Sequence, residues 1–260
     1  MVRDDVRMPL RQHLNELRVT LIRCAVVMVL LLFVGIALDH QLLDFLNDPW
    51  EKTRAALSPP NGPRDPGPLT YIGPGEGMLA ALRVSFLFAV FTGSPYFLWE
   101  LWRFIGVGLL PKERAAVRRG LVPAVLLFLG GLAFGFEVLL PLGLPAMVNY
   151  LDPSLAVSSV TIGNYYSFVV SMTLIMGAVF ELPLVMWAVV RAGLIERRTL
   201  ASSRRAVVLG CAIFAAAITP STDAWSMLLV LGPMLVLYEA GLLLCLQADR
   251  ARERAARALD

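Results

Sequence analysis

The sequence predicts an all-α, polytopic integral membrane protein with six transmembrane helices, and three observations carry this prediction. The 260-residue chain is 57% hydrophobic and 17% charged, whereas a soluble domain is typically about 45–50% apolar and about 25% charged. Its apolar residues fall in runs of the length that crosses a bilayer. Its basic residues gather in every second connection between those runs. The composition excludes a disordered chain, a nucleic-acid-binding domain and an ordinary soluble enzyme.

Six apolar runs are candidates for membrane spans. The first has no small-residue cleavage site after it, which argues against a removable signal peptide. The fifth has 13 apolar residues and reaches only about 20 Å, against a hydrocarbon core of about 30 Å. We therefore expect the hairpin of the last two spans to face a partner or a zone of distorted lipid. The runs cover about 19–38, 78–98, 121–140, 165–190, 206–218 and 225–246.

The distribution of basic residues predicts the orientation of the chain. Segment 1–18, the connections after the second and fourth spans, and the tail 247–260 are rich in arginine. Basic connections stay in the cytoplasm. The sequence thus predicts cytoplasmic N and C termini, which requires an even number of spans. It also predicts a cytoplasmic amphipathic segment at 1–18, one transmembrane domain at 19–246 and a basic cytoplasmic tail at 247–260.

The connections on the opposite side have a different chemistry. The first, 39–77, is rich in proline and acidic residues, and the second, 141–164, has no basic residue. Because proline restricts the backbone, this density predicts a rigid, proline-rich extracytoplasmic cap. We expect one short helix within it, over about 39–57. The third connection, 219–224, is short enough to be a tight turn.

Few residues have the chemistry of an active site. Glu181 lies in the middle of the fourth apolar run, where a carboxylate is expensive and so faces a protein interior or a water-filled cavity. We interpret Glu181 as a functional residue, with an acid that only joins two helices by hydrogen bonding as the alternative. Glu239 also lies in an apolar run, but close to the basic tail. Three scattered cysteines and two histidines predict neither a disulfide framework nor a metal site, and no cofactor is implied.

A second group of candidates precedes the first span and follows the second. Leucines recur at helical spacing over 10–21 and predict a helix that lies along or enters the membrane interface. Interfacial anchoring also explains the aromatic segment 102–106. It does not explain two carboxylates, Glu16 and Glu113, on an otherwise basic surface.

Five short segments of the sequence form a series. They are His13-Leu14-x-Glu16-Leu17-Arg18; Pro95-x-x-x-Trp99-x-x-Trp102-x-Phe104-Ile105 with Leu109 and Glu113-Arg114 after it; Phe134-x-Phe136 with Pro141; Phe180-Glu181-x-Pro183; and Thr219-Pro220 followed by Asp223. In this order and spacing they resemble the TatC family, the polytopic subunits of the twin-arginine protein translocase. The resemblance covers residue 9 to about 246.

The resemblance implies the core receptor subunit of the Sec-independent twin-arginine translocation system, which is not an enzyme. Such a subunit lies in the bacterial cytoplasmic (inner) membrane and binds the twin-arginine signal peptides of folded proteins. It self-associates in the receptor complex and recruits TatA-like and TatB-like single-span subunits for export driven by the proton-motive force.

The resemblance also implies roles for individual residues. Glu16 and Glu113 would bind the two arginines of the signal peptide, with Arg18 and Arg114 keeping these acids ionised. Glu181 would belong to an intramembrane functional site. The remaining implied residues are Leu17 and Phe104, against the apolar part of the signal peptide, and Thr219, Pro220 and Asp223, in the outer hairpin near the partner contact.

Two other classes compete on composition alone. A proton-coupled small-molecule secondary transporter shares the multiple spans and the buried acid, but no internal repeat is visible in the sequence. A membrane-embedded enzyme would need clustered catalytic groups.

The chain departs from the family pattern at three positions. They are Val107, in place of a proline, Glu137, in place of an aromatic residue, and Met227, in place of a polar amide.

Overall fold

The computed structural model describes the chain over residues 10–57, 66–107, 111–148, 160–191, 195, 197–219 and 224–257. Within these ranges, side chains are described for all but residues 10–13, 105–119, 197 and 248–257. The described residues are almost entirely helical. A single parallel bridge between Thr70 and Thr161 is the β-structure among them.

Ten α-helices follow one another along the described chain. They are α1 (Leu10–Ala37), α2 (Asp39–Leu57), α3 (Glu76–Val107), α4 (Pro111–Phe134), α5 (Leu140–Val148), α6 (Ile162–Phe180), α7 (Leu182–Arg191), α8 (Arg197–Ser202), α9 (Arg204–Ile218) and α10 (Ala224–Arg257). A π-helical segment, Gly135–Leu139, joins α4 to α5 without a break. The all-α prediction is confirmed, and the helix expected over 39–57 has those bounds.

Five stretches in the described ranges are long and apolar enough to cross a membrane. They are Leu14–Ala37, Glu76–Phe104, Gly120–Val148, Ile162–Arg191 and Ala224–Gln247. The remaining predicted span corresponds to α9, which has 15 residues and extends about 22 Å. The sequence predicted a short fifth span, and α9 is correspondingly short.

The fourth span is the centre of the bundle. Tyr165, Val169, Met172 and Met176 on α6 are all at most 1% exposed, and α6 packs against both α3 and α4. Large apolar side chains on α1, by contrast, are mostly exposed. In a protein that spans a bilayer, such side chains contact lipid, so α1 lies at the periphery.

Small residues let the helices approach closely. A Cβ atom added to Gly131 on α4 would lie 2.5 Å from the backbone oxygen of Met176, and one added to Gly35 on α1 would lie 2.9 Å from Ser85 on α3. Close backbone approach at glycine is the usual packing mode of membrane helices, where apolar burial alone gives little drive for association.

The third span is longer than its apolar run predicted. The helical path continues through Pro141 and Pro145 to Val148, so the helix extends into the segment that the sequence assigned to the second outer connection. Proline is tolerated within membrane helices where a local π adjustment compensates for its missing donor. The N–H of Leu140 bonds to the carbonyl of Gly135, five residues earlier, and so provides that adjustment immediately before Pro141.

Helix α2 is held to the bundle by polar contacts. The hydroxyl of Tyr165 donates to the carbonyl of Leu46 at 2.8 Å, and that of Tyr166 donates to the carbonyl of Leu43 at 2.9 Å. Trp50, 1% exposed, packs on Tyr165 with ring centroids 5.7 Å apart. These contacts fix α2 across the end of α6.

The same end of the bundle carries two further ties. The Arg83 guanidinium on α3 donates to the carbonyl of Gly163 at the start of α6, at 2.8 Å. The segment before α3 meets the start of α6 through backbone hydrogen bonds from Thr70 to Val160 and from Ile162 to Thr70, both 3.0 Å. The ends of α3 and α6 are therefore joined to each other as well as to α2.

Candidate functional site

Helices α1 and α3 run antiparallel, and their contacts fix the register. Gly35 lies against Ser85, and further along the pair Arg23 lies near Glu100, with 3.8 Å between guanidinium and carboxylate. Glu16 is seven residues, about two helical turns, before Arg23, and Val107 is seven residues beyond Glu100. The register therefore sets Glu16 level with the last turn of α3.

Helix α4 begins at the same end. A Cβ atom added to Gly120 on α4 would lie 3.1 Å from the ring of Trp102 on α3. The two helices are antiparallel and joined by a short connection, so the first turn of α4 returns beside the last turn of α3. Glu113 belongs to that first turn. The backbone positions of the two predicted carboxylates thus share one end of the bundle.

The side chains expected around these acids differ in exposure. Glu16 and Leu17 are half-buried, and Arg18 is exposed. Phe104, near the end of α3, is half-buried. The side chains of Glu113 and Arg114 lie outside the described residues.

Glu181 occupies a break between α6 and α7. Pro183 has no N–H to donate, and the N–H of Glu181 turns to the carbonyl of Ala178 at 3.2 Å. The Glu181 side chain is half-buried, and its Oε1 atom is buried with no hydrogen-bond partner among the described residues. This oxygen is therefore an unused hydrogen-bond acceptor within the span, and the functional role of Glu181 stays a prediction.

The hairpin of α9 and α10 carries the remaining candidates. Thr219 ends α9, and its hydroxyl donates to the carbonyl of Ala215 at 2.9 Å. Pro220 and Asp223 lie outside the described residues. At the other end of α9, the Arg204 guanidinium donates to the Glu239 carboxylate at 2.9 Å, so the sequence candidate Glu239 is an ion-pair partner between the two helices.

Sequence reasoning missed Glu100. This carboxylate is 1% exposed and lies between Arg103 on its own helix, at 3.0 Å, and Arg23 on α1. The signal that could have found it is the spacing of Glu100 and Arg103, three residues apart on one helix face, at the end of an apolar run.

The described residues form a bundle of apolar helices with buried carboxylate groups inside its spans, at Glu100 and Glu181, and an acid at the end of α1. They include no group of three metal-ligating side chains. They define a polytopic helical membrane protein. A family model described as Sec-independent protein translocase protein (TatC) matches residues 12–233. The chain belongs to the TatC family.

Individual relatives agree with this assignment. The Sec-independent protein translocase protein TatC of Xylanimonas cellulosilytica is 33% identical over 248 residues, which are 95% of this chain and 87% of that one. The TatC protein of Carboxydothermus hydrogenoformans is 27% identical over 239 residues, 92% of this chain and 93% of that one. A crystal structure of the twin-arginine translocase receptor TatC matches with a TM-score of 0.77 at 27% identity, covering 91% of this chain and 99% of that one.

Membership in this family sets the class of function. The chain is a membrane component of the Sec-independent, twin-arginine protein translocase, works within a multi-subunit complex and is not an enzyme. The small-molecule transporter interpretation is not favoured.

Proposed function

We propose that the chain is the receptor subunit that binds twin-arginine signal peptides of folded proteins, with Glu16 and Glu113 as the carboxylates that bind the two arginines. The observation that carries the proposal is the shared end of the bundle at which α1 begins, α3 ends and α4 begins. A guanidinium binds a carboxylate through two parallel hydrogen bonds, a geometry that lysine does not reproduce. Two acids at one end match two adjacent arginines.

The surroundings of the two acids suit a signal peptide. Leu17, next to Glu16, and Phe104, near the end of α3, are half-buried and would offer apolar surface to the hydrophobic part of the peptide. Arg18 and Arg114, close to the two acids in the sequence, would repel a badly placed basic peptide. At a membrane interface the dielectric constant is lower than in water, so a fully paired guanidinium and carboxylate attract each other more strongly.

The orientation and the partners belong to the same proposal. The arginine-rich ends support a cytoplasmic location for both termini, and the two acids would then face the compartment in which signal peptides arrive. The TatA-like and TatB-like single-span subunits would dock at the α9–α10 hairpin near Thr219. The support is the shortness of α9 together with its large exposed apolar side chains, Leu209, Ile213 and Phe214.

Photocrosslinking tests the receptor site. A photoreactive residue next to one of the two acids, at position 15 or 112, in the full-length protein in native membranes, is expected to crosslink to a peptide with two arginines. A peptide with two lysines, otherwise identical, keeps the charge and loses the bidentate geometry, and we expect it to crosslink weakly. Equal crosslinking of the two peptides, or crosslinking only from positions at the α2 end of the bundle, contradicts the proposal.

Glu181 would act at a later step, as the polar site inside the bundle against which a partner helix or the signal peptide packs. Glu181→Gln keeps the shape and removes the charge. We expect it to lower transport and partner crosslinking while leaving signal-peptide affinity unchanged, because Glu181 is on a different pair of helices from Glu16. Unchanged transport together with unchanged crosslinking would leave Glu181 with a structural role only.

A further inference from the structure

We propose that Glu100 is a positioning residue for the signal-peptide site. Its buried carboxylate joins α1 to α3 through Arg23 and Arg103 and thereby holds Glu16 beside the last turn of α3. This inference rests on the proposed function and adds a residue to it that binds no peptide itself.

The contacts of Glu100 come from both helices. Arg103 approaches Oε2 at 3.0 Å as an ion pair, although without the alignment of a hydrogen bond. Arg23 on α1 lies 3.8 Å from Oε1, and the Tyr96 hydroxyl donates to the same oxygen at 3.3 Å. Arg103 also stacks on Trp99, with 5.6 Å between the guanidinium carbon and the ring centroid. Glu100 is therefore a buried acid with one arginine of α1 and one arginine of α3 beside it.

The two ends of α1 are held differently. The C-terminal end continues through Leu38 into α2, which is fixed to α6, and Gly35 packs closely against Ser85 on α3. Towards the Glu16 end, by contrast, large apolar side chains such as Leu14 and Leu21 are exposed. Among the described side chains, the ion pair of Arg23 with Glu100 is the charged contact that joins this part of α1 to α3.

The position of Glu100 connects it to the site mechanically. Seven residues of continuous helix, about 10 Å, separate Arg23 from Glu16, so a sideways displacement of α1 at Arg23 also displaces Glu16. If this end of α1 moved away from α3, Glu16 would move away from the last turn of α3 and the first turn of α4. Bidentate recognition of an arginine does not tolerate such a displacement.

The exposure of the three partners predicts which substitutions the fold survives. The side chains of Arg23 and Arg103 are 46% and 38% exposed, whereas that of Glu100 is 2% exposed. Without Glu100, both cations reach water or lipid headgroups. Without Arg103, by contrast, the carboxylate loses its nearest cation while it stays buried, which is the costly way to break such a pair. Glu100→Gln is therefore the variant that removes the tie and keeps the fold.

The test compares Glu100→Gln with wild type in the full-length protein. We expect affinity for a twin-arginine peptide to fall about twofold to fivefold, because an ion pair with a half-exposed partner contributes little. In a background with all cysteines replaced, spin labels at Leu14 and Leu126, both exposed, should give a broader distance distribution in the variant. Glu239→Gln is the matched control, because it removes the charge of an ion pair of α9 and α10, and it should change neither quantity.

A double substitution distinguishes loss of the contact between α1 and α3 from a general weakening of the fold. If Glu100 acts through Arg23, then Arg23→Ala added to Glu100→Gln should weaken binding no further, because coupled residues are not additive. Should Glu100→Gln not accumulate in membranes, Arg23→Ala alone, which leaves Arg103 beside the acid, is expected to broaden the distances and weaken binding. Wild-type affinity with an unchanged distance distribution, or full additivity, would overturn the inference.

The same experiment keeps the two proposals distinct. If wild type does not distinguish two arginines from two lysines, the proposed receptor site is wrong, and the spin-label distances still report on the tie. If wild type does distinguish them and Glu100→Gln binds as wild type does, the receptor site stands and the positioning role falls.

Discussion

Replacing Glu16 and Glu113 together by alanine is expected to lower affinity for a twin-arginine signal peptide by at least about 100-fold. Each hydrogen-bonded contact with a charged group contributes about 1.5–3 kcal/mol, and about 1.4 kcal/mol corresponds to a factor of ten. Either single substitution should lose about tenfold or more. Equilibrium binding of a fluorescent peptide to the protein in lipid nanodiscs measures the loss.

The control for this experiment removes an acid at the opposite end. Glu51 on α2 is exposed and pairs with Arg54, so Glu51→Ala should leave peptide affinity within about twofold of wild type, since exposed pairs contribute little. Membrane insertion should be normal in all variants, because Glu16 is half-buried, Glu51 is exposed and Glu113 belongs to the first turn of α4. Undiminished binding by the double variant would contradict the assignment of both acids.

The second large effect is expected at Gly131. An added Cβ atom would lie 2.5 Å from the backbone oxygen of Met176 and 2.9 Å from the Cα atom of Gly177. Backbone cannot move aside as a side chain does, so Gly131→Ala must separate α4 from α6, the most buried helix. We expect it to lower the free energy of unfolding by about 2–3 kcal/mol, in the range of overpacking substitutions. Detergent titration in mixed micelles gives the difference.

The neighbouring residue provides the matched control. An added Cβ atom at Gly130 meets nothing within 4 Å, so Gly130→Ala is expected to be neutral or to stabilise by up to about 1 kcal/mol through helix propensity. The two substitutions make the same chemical change at adjacent positions. Equal stability of the two variants would show that the contact between α4 and α6 does not depend on the absence of a side chain at Gly131.

Much of the fold follows from the sequence because a bilayer imposes strong rules. Length and hydropathy locate the spans, and the helix over 39–57 was predictable between its flanking proline-rich and apolar segments. The end of the third span was not, because Pro141 normally ends a helix in water. In a membrane, however, the backbone must remain hydrogen-bonded, and the π-helical turn before Pro141 lets the helix continue to Val148.

The candidate site, too, was only partly predictable from the sequence. Glu16 and Glu113 were candidates because carboxylates are unusual among so many arginines, and their family positions matched. Glu100 was not, because its meaning depends on Arg23, which is 77 residues away in the sequence and comes beside it only when α1 packs antiparallel to α3. Periodicity identifies the face of one helix, but it does not identify which residue of another helix that face will meet.

The contacts of α2 have a consequence for motion. At the end that α2 covers, hydrogen bonds join α2 to α6 and α3 to α6. These bonds tie three helices together, because α6 accepts from α3 and donates to α2. A displacement of α2 would therefore reach α3 through the first turns of α6.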